Sequence, residues 1–197
     1  MHRPLAINAL ESATVLVSLA LLPAAFALVW AIAAVRLRAA GGPAASTARR
    51  RTIWRHTLAE VGAVAGTLPW LVLVLTPRAG EGAVQLVPFV DLADLAAADP
   101  TTIVEQLVGN LVLFAAAGFF APMRLRIGLG AVALGAAAGC VAVEAAQYLF
   151  GTGRVASVDD VMLNTLGAVL AALASRRWWR ARSEDGETPA PAWAADR

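Results

Sequence analysis

The chain contains no lysine: all 16 of its basic residues are arginine. It has one cysteine, one tyrosine and two histidines in 197 residues. A single Cys140 excludes an intramolecular disulfide and any CxxC metal motif; inside an apolar run it reads as a small packing residue. His2 and His56 stand alone near the ends of apolar runs and suggest no chemical role. Charge is also scarce. Only 15% of the residues are charged and 59% are hydrophobic, whereas a soluble domain is usually ~25% charged and ~45–50% apolar. Water-soluble helices cannot hide uncharged runs that are apolar on every face. The small basic excess, net +2, does not point to nucleic acid, because the arginines sit where membrane topology places them.

What is present is a series of long apolar runs, each long enough to cross a bilayer at ~20 residues per span. Residues 12–35 carry no charge at all. This first run is longer than a signal-peptide core, and its arginines follow it, so it reads as an uncleaved helix. A basic loop over 36–56 leads to a second span over 57–76, with Glu60 near its start within snorkelling range of the interface and Pro69 inside. Residues 77–102 carry Glu81, Asp91, Asp94 and Asp99 against Arg78. Their apolar stretch Val84–Val90 is too short to cross and reads as an interfacial or re-entrant piece. The aspartates read as solvated or topology-setting. Spans follow over 103–123, 127–150 and 158–175. Gly128, Gly130, Gly135 and Gly139 mark a small-residue face for close helix approach in the fourth. Arg176, Arg177, Trp178, Trp179, Arg180 and Arg182 form an aromatic and basic anchor, and a polar tail follows that reads as disordered.

The expected fold is therefore an all-α polytopic bundle of about five transmembrane helices. Three regions follow: 1–76 with two spans and a basic loop, 77–175 with three spans behind a loop, and 176–197 as a tail. With the N-terminus outside and the C-terminus inside, 13 of the 16 arginines face the cytoplasm, leaving Arg3, Arg78 and Arg154 outside. That is the bias the positive-inside rule demands.

Polar residues inside the last three spans oppose this economy of charge. A charged side chain at a helix centre costs roughly 2.5–3.5 kcal/mol on insertion scales. Asn110 lies on span three, Glu144 and Gln147 on span four, and Asp159, Asp160 and Asn164 on span five. Glu144 and Gln147 share a face at i, i+3, as do Asp160, Asn164 and Gly167 at i, i+4 and i+7. In the expected orientation all of them fall in the outer half of the membrane. Arg154, in the loop between spans four and five, is placed to pair with Glu144 or Asp160. The pattern predicts a polar pocket open to the extracytoplasmic side. The competing reading is structural: the same groups would bond three helices together. For Asp159 and Glu105, nearer the interface, solvated or snorkelling positions lead.

These residues carry a resemblance. Val87-Pro88-Phe89, then Gly109-Asn110-Leu111-Val112-Leu113-Phe114 with Gly118, then Glu144-Ala145-Ala146-Gln147 come in order. The set closes with Arg154-Val155-Ala156-Ser157-Val158-Asp159-Asp160-Val161-Met162-Leu163-Asn164-Thr165-Leu166-Gly167. From about Leu86 to Leu173 the chain resembles the VanZ-like family of small bacterial membrane proteins. Members commonly carry a proline between the Phe and the Gly of span three. Here the segment is Phe114-Ala115-Ala116-Ala117-Gly118, so the residue that would kink that span is missing. The first two spans carry no family motif. The resemblance implies a multi-pass plasma-membrane protein associated with glycopeptide resistance, particularly to teicoplanin, and no established enzymatic mechanism.

Three functions remain open at this level. One is recognition of an amphiphile: a membrane lipid, a lipid-linked cell-wall precursor or a lipoglycopeptide. Arg154 would contact an anion, Glu144 and Asp160 would orient the head, and Asn110, Gln147 and Asn164 would add hydrogen bonds. The second is a membrane enzyme acting on a lipid-linked substrate through Glu144 and Asp160. No GxSxG, HExxH or phosphate loop names a reaction, and no cofactor or metal is expected. The third, a proton-coupled carrier, is disfavoured because the acids cluster at one side and inverted repeats are absent.

Overall fold

The computed structural model describes residues 5–78, 80 and 82–179, with side chains from residue 22 onward. His2, Arg3, Glu81, Arg180, Arg182 and the expected disordered tail lie outside the described residues. The chain is a helical membrane bundle. Its elements are α1 (Leu5–Ala39), α2 (Thr47–Leu75), β1 (Ala83–Gln85), α3 (Val90–Ala96), α4 (Pro100–Leu113), α5 (Ala115–Leu125), α6 (Leu129–Leu149), β2 (Val155–Ser157) and α7 (Val158–Ala174).

Among the described residues, α1, α2, α4 together with α5, and α6 are long and apolar enough to cross a membrane. Helix α7 has 17 residues, about 25 Å at ~1.5 Å per residue, at the short limit for a span. It packs against α4, α5 and α6 and buries Asn164, Gly167, Ala168 and Ala172. Large apolar side chains point outward instead: Phe26, Leu134, Leu149 and Phe150 are all exposed. In water so much exposed apolar surface would drive aggregation; in lipid it is the solvated face.

Small residues set the central contacts. A Cβ at Gly167 would collide with the carbonyl of Leu111 on α4, and one at Gly118 with the carbonyl of Ala168 on α7. Gly62 and Gly66 seat α2 against Phe120 and Ala116 of α5 in the same way. The glycine face expected on span four is corrected here. Gly128, Gly130 and Gly135 have open space where a Cβ would stand, and Gly139 alone meets a neighbour, the Phe114 ring at 3.2 Å. Glycine spacing shows which positions share a face and not whether a helix lies against it.

Two further expectations change. The basic loop over 36–56 is mostly helix, because α1 continues to Ala39 and α2 begins at Thr47, capped by Ser46. The third span is broken despite its missing proline. Phe114, with φ −106° and ψ 7°, separates α4 from α5, while its carbonyl still accepts the Gly118 N–H at 2.8 Å. The 77–102 segment holds a strand that sequence pattern did not suggest: β1 pairs in parallel with β2, Val84 opposite Ala156. The two strands and α3 form a small platform across one end of the bundle. The arginine-rich turn between α1 and α2 lies with the α5–α6 turn at the other end, where Glu60 bridges Arg36 at 2.7 Å and Arg124 at 2.5 Å. Glu60 thus ties α1, α2 and α5 together and does not simply reach for the interface.

Candidate functional site

The segment Arg154–Asn164 is the centre of the platform end, and its Arg154, Asp159 and Asp160 each hold a different element. Strand β2 runs directly into α7, with Ser157 as N-cap accepting the Asp159 N–H at 3.1 Å. That geometry turns the Asp159 carboxylate toward α3. Asp159 is 2% exposed and accepts the N–H groups of Phe89 at 2.6 Å and Leu92 at 3.1 Å. It supplies the cap that α3 lacks from its own sequence, since Phe89, at φ 67°, offers no capping side chain. The solvated position expected for Asp159 is therefore overturned. An apolar helix end brought over the carboxylate replaces water, and the unsatisfied N–H groups of that end complement the charge. Glu105 is exposed, as its position on the sequence suggests.

Asp160, one residue on, faces α4 instead and accepts Asn110 Nδ2 at 2.5 Å. Asn164 donates from Nδ2 to the Asp160 carbonyl at 2.7 Å. Glu144 of α6 accepts the backbone N–H of Ser157 at 3.2 Å, fixing the strand-to-helix corner.

Gln147 and Arg154 have partners the sequence did not indicate. Gln147 donates to the carbonyl of Val74 at 2.8 Å and Arg154 to that of Leu73 at 3.1 Å. Both carbonyls belong to the last turn of α2, where the helix dipole favours a cation; that of Leu73 also accepts the Thr76 N–H at 3.3 Å. The second span is thereby bound into the polar site.

All seven candidates, Asn110, Glu144, Gln147, Arg154, Asp159, Asp160 and Asn164, line one cavity of about 520 Å³. Small-molecule sites usually run ~300–1,000 Å³. Leu113, Val143 and Leu163 form apolar wall, while Arg78, Asp91 and Asp94 also line the cavity. By sequence alone Asp91 and Asp94 read as solvated or topology-setting. Their i, i+3 spacing on α3 was the available signal, but it acquires a site only once α3 folds back over α7. Among the described residues no three His, Cys, Asp or Glu side chains form a metal-holding group. The arrangement is both bonded and open: its members fasten α2, α3, α4 and α6 to one another and leave space between them.

A membrane bundle with a polar cavity sunk between its helices under a two-strand platform defines the class, a multi-pass helical protein carrying buried polar groups at one end. Within that class the chain belongs to the VanZ/LLP1 family, whose model matches residues 58–179. The match begins in α2, well before the motifs at Leu86, so the second span, which carries no recognisable motif, is part of the family unit. No curated protein and no solved structure matches the chain.

Proposed function

We propose that this VanZ-like protein sits in the plasma membrane with the platform end outside and that its cavity receives the polar head of an acyl-tailed envelope amphiphile. A membrane lipid, a lipid-linked cell-wall precursor and a lipoglycopeptide such as teicoplanin all have that form. The observation that carries this reading is the convergence of seven polar residues, on α4, α6, α7 and the β2 approach, around one cavity of about 520 Å³. Interhelical hydrogen bonds in membranes average only about 0.6 kcal/mol, a small return for placing three carboxylates at helix ends within a lipid-facing bundle. A bound head would make use of them. Arg154 and Arg78 offer guanidinium contacts to a phosphate or carboxylate, and the apolar wall of Leu113, Val143 and Leu163 suits the start of a tail.

Expression of the wild-type chain and of Arg154→Gln and Glu144→Gln in a susceptible bacterium tests the proposal, with teicoplanin and vancomycin susceptibility and co-purifying lipid as readouts. Reduced teicoplanin susceptibility, or a retained lipid, that both variants lose is the expected result. Unchanged susceptibility together with no retained amphiphile would remove the basis for it. A second reading draws on one observation: Glu144 and Asp160 line the same cavity, as an acid and base working on one substrate must. Turnover of a lipid-linked substrate abolished by Glu144→Gln would favour that enzyme reading over simple recognition.

A further inference from the structure

The end of the bundle opposite the platform carries positive charge that the described residues do not balance. The last turns of α1, α5 and α7 meet the start of α2 there. Glu60 of α2 joins Arg36 to Arg124, and the Arg55 guanidinium donates to the Trp178 carbonyl just beyond α7. Glu60 is the one carboxylate at this end among the described residues, and its two bridges commit it. Around it stand Arg38, Arg49, Arg50, Arg51 and Arg126, all exposed and none paired with a carboxylate among the described residues. Membrane orientation needs arginines anywhere near this turn. Three of these are instead consecutive at the start of α2, whose first turn holds no acid. There they repel one another and oppose the positive end of the helix dipole. An anion from outside the bundle relieves both conflicts.

A second, separate observation fixes the depth of this face. Exposed apolar side chains share turns with the arginines: Val35 precedes Arg36, and Leu125 stands between Arg124 and Arg126. Trp30 and Trp54, the latter one turn beyond Arg51, pack edge to face at 5.6 Å, and the Arg177 guanidinium lies 4.3 Å over the Trp178 ring. Tryptophans of this kind rest at the boundary between lipid and water. The guanidinium groups therefore stand at the level of the lipid phosphates, with apolar neighbours turned to the acyl chains. A nucleic acid or an acidic protein arriving from water would meet the charges and leave Val35 and Leu125 uncovered; a phospholipid meets both. We propose that this arginine face binds the phosphodiester heads of anionic phospholipids, phosphatidylglycerol or cardiolipin. Guanidinium groups match phosphate oxygens in pairs, and clustered arginines beside a span favour anionic lipid. A zwitterionic lipid offers the same phosphate, but its own cation offsets the charge.

The full-length protein in mild detergent is titrated by native mass spectrometry with dioleoyl phosphatidylglycerol, cardiolipin and phosphatidylcholine. The anionic lipids are expected to bind about tenfold more tightly than phosphatidylcholine, a difference of ~1.4 kcal/mol. The preference is expected to shrink as salt is raised, because exposed charges are screened. Arg49→Gln/Arg50→Gln/Arg51→Gln is expected to remove most of it. Arg38→Gln/Arg126→Gln, which leaves the start of α2 unchanged, is expected to weaken it as well. Arg154→Gln, at the platform end, is expected to leave it intact. Equal binding of anionic and zwitterionic lipid, or a preference untouched by both arginine variants, overturns the assignment. A preference lost only in Arg154→Gln moves the lipid to the cavity and overturns it too, as does binding of an oligonucleotide in place of lipid. The acids Glu184, Asp185 and Glu187 of the chain's own tail are the rival anions. A wild-type protein without preference that gains one in Glu184→Gln/Asp185→Asn/Glu187→Gln gives the face to the tail and overturns the lipid assignment.

Discussion

Asp159 and Asp160 are adjacent and chemically identical, yet they serve different neighbours. Asp159 is held by two backbone N–H groups at the start of α3, and Asp160 by the Asn110 amide on α4. Charged hydrogen bonds contribute about 1.5–3 kcal/mol each, and orphaned buried donors add a penalty. Asp159→Ala is therefore expected to cost about 3 kcal/mol of stability, read as a lower unfolding midpoint in detergent, with faster amide exchange confined to α3 and its approach. Asp160→Asn keeps an acceptor for Asn110 and is expected to unfold within about 1 kcal/mol of wild type; an equal loss in both variants would contradict the division of labour. Asp99 gives a pH signature at the same scale. Its carboxylate accepts the Thr102 hydroxyl at 2.6 Å and the N–H groups of Thr101 and Thr102 at 3.1 Å each. The Thr102 side-chain bond, then its backbone bond, hold the carboxyl below its ordinary value. A depressed value means the cap is fully present above the unfolded carboxylate value, ~3.9, and is lost as pH falls through the lower folded value. Amide exchange at Thr101 and Thr102 should stay constant from neutral pH down to about 5, once corrected for intrinsic rates, and rise only in stronger acid. A rise already at pH 6 would contradict this.

At the scale of elements, backbone approach governs the bundle. Gly167→Ala and Gly118→Ala each place a methyl group against a neighbouring helix carbonyl, and overpacking of this kind costs about 1–3 kcal/mol. Gly135 meets open space on α6, so Gly135→Ala is expected to be neutral or to stabilise by up to about 1 kcal/mol through helix propensity. Thermal unfolding of the three variants checks the contrast; equal effects would refute the packing described. Much of this level was legible beforehand. The spans, the intramembrane polar stripes and the motif placing Gly118 and Gly167 were all readable from apolar length, period and order. The break at Phe114 was not, because a proline is only one way to interrupt a helix and the tertiary pull of α7 on both halves is another. The β1–β2 pair was not, because three-residue strands leave no period to detect and their partners are about 70 residues apart.

At the scale of the whole molecule, the arginine distribution proposes a direction: platform outside, arginine-rich turns inside. The single native cysteine, Cys140, is fully buried, so introduced cysteines can be labelled against little background. In intact cells a membrane-impermeant maleimide is expected to label Asp94→Cys and spare Arg50→Cys until the membrane is opened; the reverse pattern would invert the topology and withdraw the outward-facing cavity. The cavity depends on long-range assembly. Gln147 and Arg154 reach α2, Asp159 reaches α3, and Asp91 and Asp94 join the lining only because α3 is folded back over α7.

The sequence by itself determined that the chain is a helical membrane protein, which of its residues are polar at depth, and the family to which it is similar. Those properties depend on local composition and spacing, since a bilayer tests every run of about 20 residues for apolarity. The tertiary structure alone decided what each polar residue holds, which glycines carry close contacts, and that Asp91 and Asp94 belong to the cavity. Those outcomes depend on which unsatisfied helix ends and carbonyls meet in space, and hydrogen-bond partners more than 60 residues apart leave no mark in local pattern.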